Sequence, residues 1–150
     1  MMPLVVLLLV FSLSLLLLRL FRGKFHFALA GRIAMSGMLL FTAVGHFAFT
    51  EGMALMLPSF IPFKEEMVYF TGLVEIVAAI GLLLPRLSIL TAWLLIAFFI
   101  LVLPANIYAA TEHVDYQNAT LDGHGPAYLW FRIPLQLFFI MWVYLPAIRK

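Results

Sequence analysis

Residues 67–84 read MVYFTGLVEIVAAIGLLL, an apolar run of eighteen residues with one charged group, Glu75, near its middle. A helix of that length, at 1.5 Å per residue, nearly spans the roughly 30 Å of hydrocarbon in a bilayer. A lone carboxylate at that depth costs roughly 2.5–3.5 kcal/mol on insertion scales, so it must face protein or a wet cavity and needs a partner. With about 100° between residues, Val68, Thr71, Gly72, Glu75, Ala78, Ala79 and Leu82 share one face. Phe70, Leu73, Val74, Ile76, Val77 and Ile80 cover the other. Small residues beside the carboxylate admit a second helix, while the bulky face suits lipid. The pattern turns Glu75 inward.

The rest of the chain fits that setting. Of its 150 residues 65% are hydrophobic and 11% charged, where soluble domains carry about 25% charged residues. Besides 67–84, the stretches Pro3–Leu18, Ile33–Phe49, Leu87–Leu103 and Ala127–Leu145 are long enough, or nearly so, to cross a membrane. The fold class expected is all-α: a polytopic membrane protein with the lipid bilayer as its first partner. The absence of cysteine excludes disulfides, thiol relays and thiolate-held clusters. A net charge of +2 without a basic patch gives no reason to expect a nucleic-acid partner.

Charge alternates between the spans. Arg19, Arg22, Lys24 and Arg32 lie between spans one and two, Arg86 between three and four, and Arg149 with Lys150 after span five. The positive-inside rule makes that side cytoplasmic, with the amino terminus outside and the carboxyl terminus inside. Six of the seven acids (Glu51, Glu65, Glu66, Glu112, Asp115 and Asp122) then fall outside, and the seventh is Glu75. Ala28-Leu29-Ala30 has the form of a signal-peptide cleavage site, yet the cations follow the first apolar run instead of preceding it, which favours a retained helix. Residues 19–32 are expected to carry a short interfacial helix with Phe21, Phe25 and Phe27 in lipid.

The other spans offer partners for Glu75. Arg132 and Gln136 lie four apart in span five and so on one face, with Pro134 between them freeing the Trp130 carbonyl. Arg132 is the expected ion-pair partner of Glu75; the alternative is that it snorkels to headgroups. His46 sits one turn from the end of span two, with Thr42 a turn deeper, and Asn106 follows Pro104 at the end of span four. These groups share the outer half of the bilayer, as a cavity would require. A hydrogen-bond network that only fixes the bundle is the alternative, although such bonds average only about 0.6 kcal/mol each.

Two loops complete the reading. Residues 51–66 are too apolar for an ordinary wet loop, and Leu57-Pro58 and Ile61-Pro62 stop a long helix. An interfacial connector or a lid over the cavity is expected. Residues 111–125 contain His113, Asp115, Asp122 and His124 at a spacing that matches no zinc pattern, so no metal site is expected. Asn118-Ala119-Thr120 has the form of a glycosylation sequon.

Several short motifs, in order, resemble the DoxX family of small membrane proteins. They are Gly45-His46-Phe47, Leu57-Pro58-Ser59-Phe60-Ile61-Pro62, Gly72-Leu73-Val74-Glu75-Ile76, Gly81-Leu82-Leu83-Leu84-Pro85, Pro104-Ala105-Asn106-Ile107 and Arg132-Ile133-Pro134-Leu135-Gln136. The resemblance implies a four-helix bundle over residues 31–150. Residues 1–30 are then an added transmembrane helix with its basic connector. It also implies His46, Glu75, Asn106, Arg132 and Gln136 as the shared polar core. Relatives in that family are linked to quinone-coupled oxidation of sulfur compounds and to membrane redox complexes; a distant branch assists receptor assembly.

Two functions are therefore expected in outline. One is a pocket for a quinone or another lipophilic ligand, in an oxidoreductase subunit with no cofactor of its own on the chain. Arg132 would hold an oxygen, Glu75 would exchange a proton, and His46 and Gln136 would orient the ligand. The other is a non-enzymatic assembly factor or scaffold that docks other transmembrane proteins. A proton-coupled transporter is a third reading, against which the spans show no internal repeat.

Overall fold

The computed structural model describes residues 2–149 and is helical throughout apart from its loops. Five helical segments are long and apolar enough to cross a membrane. They are α1 (Met2–Arg22), α2 (Phe27–Ala48), α4 (Lys64–Leu83), α5 (Ser88–Thr111) and a last span over Pro126–Arg149. A short helix, α3 (Thr50–Ala54), follows α2, and the last span is α6 (Leu129–Val143) flanked by a 3-10 turn and a π-helical turn. The protein is an all-α integral membrane protein.

Sequence explains where the helices stop. Gly23, at φ +70°, takes the left-handed conformation that ends α1, and its N–H donates to the Arg19 carbonyl at 2.9 Å. Residues 23–26 then turn the chain directly into α2. The interfacial helix expected over 19–32 does not form, because α1 runs on to Arg22 and α2 already begins at Phe27. Arg19 instead lies over the Phe25 ring, 4.8 Å from its centroid. Phe49 breaks α2, and the Thr50 hydroxyl donates to the His46 carbonyl at 2.7 Å. The prolines at 58 and 62 keep the chain irregular until α4.

Two prolines lie inside helices. The fourth span, expected to end at Leu103, continues through Pro104 to Thr111. Pro104 removes only the donor to the Ile100 carbonyl, and membrane helices tolerate that where surrounding protein can satisfy the freed group. The extension carries Asn106 inside the helix as a buried residue, not at its rim. Likewise α6 passes through Pro134.

The helices α2, α4, α5 and α6 pack in a ring, and α1 lies outside it against α2. The core is built from Met35, Leu39, Ala79, Leu82, Leu95 and Phe139, with Leu7 of α1 fully buried beside them. Phe11 of α1 meets Trp142 edge-on at 4.9 Å, and Trp142 Nε1 donates to the Gly31 carbonyl across to α2. On α4 the buried residues include Val68, Gly72, Glu75, Ala78, Ala79 and Leu82, while Phe70, Leu73, Val77 and Ile80 are exposed. Thr71 is half-buried. The small-residue face points into the bundle and the bulky face points to lipid.

The helices α2 and α4 meet along a close seam. Ser36 Oγ donates to the Ala79 carbonyl at 2.8 Å. Near the other end, a Cβ on Gly72 would stand 3.0 Å from His46 Cβ and 3.3 Å from the Phe47 ring. Gly72 lies one turn before Glu75, so its missing side chain lets His46 close on the carboxylate. Gly72→Val is expected to destabilise the bundle by about 1–3 kcal/mol through overpacking, measured by unfolding in mixed detergent. A variant as stable as wild type would mean that the seam is slack.

Candidate functional site

Each helix of the ring brings polar side chains to one place. His46 comes from α2, Glu75 from α4, Asn106 from α5, and Arg132 and Gln136 from α6. All five line a cavity of about 330 Å³, within the range of about 300–1,000 Å³ usual for small-molecule sites. Its wall is otherwise mainly apolar, with Met38, Phe98, Phe99 and Phe139 among the lining residues. Met53, Met56 and Leu57 from the 51–63 segment and Tyr116 and Gln117 from the 112–125 loop line it as well. Those two segments are packed together: a Cβ on Gly52 of α3 would overlap the Tyr116 carbonyl.

Glu75 is 6% exposed, and its neighbour is His46, not Arg132. His46 Nδ1 stands 3.2 Å from Glu75 Oε2 and 2.9 Å from the Thr42 carbonyl. One ring nitrogen carries at most one proton, and its hydrogen bond goes to Thr42, one helical turn back. Glu75 Oε2 lies within ion-pair distance of the same nitrogen, and no hydrogen bond of good geometry reaches it. The expected Glu75–Arg132 ion pair does not form among the described residues. Arg132 NH2 donates instead to Asn106 Oδ1 at 3.3 Å. The reason is the longer α5, which carries Asn106 past Pro104 to face α6, so an amide on the adjacent helix takes up the guanidinium.

The remaining groups tie α5 to α6. Gln136 Nε2 donates to the Phe99 carbonyl at 2.8 Å, and both Gln136 and Asn106 are 5% exposed. Asn106 Nδ2 is buried without a partner. Polarity within the apolar runs points to four of the five in their spans, whereas Asn106, expected at a helix end, lies within α5. Tyr128 also lines the cavity, and its position four before Arg132 is a signal that could have found it. Tyr116 and Gln117 had no signal, since nothing in an aperiodic loop tells which residues fold back.

The four loop residues weighed for zinc do not converge. Asp115 accepts from the Asn118 side chain at 2.8 Å and from the Gln117 N–H. The Asn118 amide holds the Asp115 carboxyl below the usual carboxylate range. The Thr120 hydroxyl donates to Asp122, while His124 stacks on Tyr128. No cluster of three or more potential ligands forms among the described residues. The sequon residue Asn118 is thus part of a tight turn closed by an Asp115–Thr120 bridge.

A family model described as a domain of unknown function (DUF8561) matches residues 35–147. The chain belongs to that family. The match begins within α2 and runs into the final π-helical turn, so it covers the ring and leaves out α1. No curated protein and no solved structure matches the chain.

Proposed function

We propose that this family member binds a lipophilic small molecule in the cavity between α2, α4, α5 and α6. The observation that carries this reading is that one cavity is lined by Glu75, whose Oε2 meets only the His46 ring nitrogen at 3.2 Å, and by Asn106, whose buried Nδ2 has no partner. A network that served only to fasten helices would use its polar groups on itself, since an unsatisfied group in hydrocarbon costs several kcal/mol. A ligand head would satisfy them. Quinones are of the right class, with a polar ring head and an apolar tail, and the resemblance to DoxX proteins favours a role as a quinone-linked oxidoreductase subunit. With no cysteine on the chain, electrons would come from a partner or from the ligand itself. In that role Arg132 and Asn106 bind head-group oxygen, and Glu75 with His46 forms the proton-exchanging side.

The scaffold reading draws less support. Docking by the small-residue face is closed because those residues are already in contact, which leaves that reading only the bulky lipid-facing side of Phe70, Leu73, Val77 and Ile80. Gly31 abuts Pro146, Gly37 abuts Val10, and Gly72 abuts His46 and Phe47.

The orientation that fits this reading puts the cavity's loop side outside the cytoplasm. Its support is the clustering of Arg19, Arg22, Lys24, Arg86 and Arg149 at the opposite ends of the helices.

Two experiments test these proposals. In lipid nanodiscs, Glu75→Gln is expected to bind a co-purifying or added lipophile at least about tenfold more weakly than wild type. It should keep a similar helical spectrum and melting curve. Equal retention of lipophile by wild type and variant would remove the proposal. For orientation, the cysteine-free chain gives a clean background for single-cysteine labelling. Glu112→Cys should react with a membrane-impermeant maleimide on intact cells, and Arg86→Cys only after lysis. The reverse pattern would invert the topology.

A further inference from the structure

Arg132 is a permanent cation inside a membrane span, and the protein gives it little to hold. A guanidinium carries five N–H donors and does not deprotonate in proteins. Among the described residues it makes one hydrogen bond, from Nη2 to Asn106 Oδ1 at 3.3 Å, and no carboxylate lies within 4 Å of it. Its Nε and Nη1 stay reachable from open space, unlike those of Arg32, which are shut in. Arg132 lines the cavity, and so do Tyr128 one turn before it and Tyr116 and Gln117 of the 112–125 loop, whose hydroxyl and amide groups can donate as well. Glu75 is the only acid among the lining residues, and it faces His46. Charged groups inside a span face a cavity and are paired there. What this cavity lacks, whichever protonation state Glu75 adopts, is an anion for Arg132.

We propose, resting on the lipophile reading, that the preferred ligand is a single-chain amphiphile whose carboxylate head is held by Arg132. A planar carboxylate matches the guanidinium fork, and its charge-assisted hydrogen bonds are roughly twice as strong as neutral ones. A quinone oxygen can compete for the same guanidinium, but it leaves the charge unpaired and is held more weakly. The tail meets an apolar wall that includes Phe98, Phe99 and Phe139. Met38, Met53, Met56 and Met67 line the same cavity, and unbranched thioethers adapt to chains of varied shape. A volume of about 330 Å³ is that of a small-molecule site and takes one chain, not a two-chain phospholipid.

The test uses wild-type protein in phosphatidylcholine nanodiscs, with dodecanoate at alkaline pH, methyl dodecanoate and a decyl-tailed benzoquinone as probes. Each is corrected for its partition into empty nanodiscs of the same lipid. Dodecanoate is expected to bind about tenfold or more tighter than the other two, as hydrogen bonds between charged groups support. The ester keeps the chain and the carbonyl oxygen but loses the charge. If the ester or the quinone equals or exceeds dodecanoate, the charged head is overturned while the lipophile reading stands. If none of the three binds, both fall. Arg132→Gln should weaken dodecanoate about tenfold and leave the ester within about twofold; a folded variant with undiminished dodecanoate binding would remove Arg132 as the clamp. Adding phosphatidylglycerol to the nanodiscs separates a single-chain ligand from a bilayer headgroup. Dodecanoate binding should persist there, and its loss would overturn the single-chain ligand. The wild-type comparison decides the matter even where the variant fails to fold.

Discussion

A carboxylate held near the middle of the bilayer constrains everything around it. Glu75 is costly there by roughly 2.5–3.5 kcal/mol unless it is sheltered, and shelter requires a helix close enough to cover it. Gly72 provides the closeness, and His46 provides the cover at 3.2 Å. The α2–α4 seam is therefore both a close packing contact and a polar wall of the cavity. Bulky residues could have sealed that seam more cheaply. A sheltered carboxylate at that position is the observation from which the proposed ligand reading starts.

The other side of the cavity is built on a different principle. There the residues tie α5 to α6 through an amide, a guanidinium and a backbone carbonyl. Gln136 donates to the Phe99 carbonyl and Arg132 to Asn106 Oδ1, and the second contact leaves the Asn106 NH2 group unclaimed. The segment after α2 and the 112–125 loop line the cavity together, locked by the contact of Gly52 with Tyr116.

Much of this was legible in the residues before any coordinates. Apolar run length placed the five spans, and helical periodicity placed the inward face of α4, because both are local properties. The polar residues of the cavity stood out because an ionisable or amide group is conspicuous in hydrocarbon. What local reading missed was pairing. Arg132 and Glu75 looked like natural partners from charge alone, yet pairing depends on which helices adjoin and on helix length. Pro104 misled on length: it marks a boundary in water, whereas inside a bundle it merely skips one hydrogen bond and lets α5 run on to Thr111. That single difference moved Asn106 into the helix interior and changed the partner of Arg132. The connector at 19–32 misled in the opposite direction, since the two helices extend until only residues 23–26 separate them.

The contact on which the rest depends can be measured in bilayers. Magic-angle-spinning NMR on protein labelled at histidine nitrogen and glutamate carboxyl carbon should show one His–Glu proximity, because His46 and Glu75 form the only such pair within 4 Å among the described residues. Substituting Glu75 with Gln should erase that signal. Dephasing consistent with a nitrogen–oxygen separation of 3.2 Å is the result expected. No His–Glu dephasing in wild-type protein, or a signal that survives in Glu75→Gln, would contradict the sheltered carboxylate and the cavity built on it.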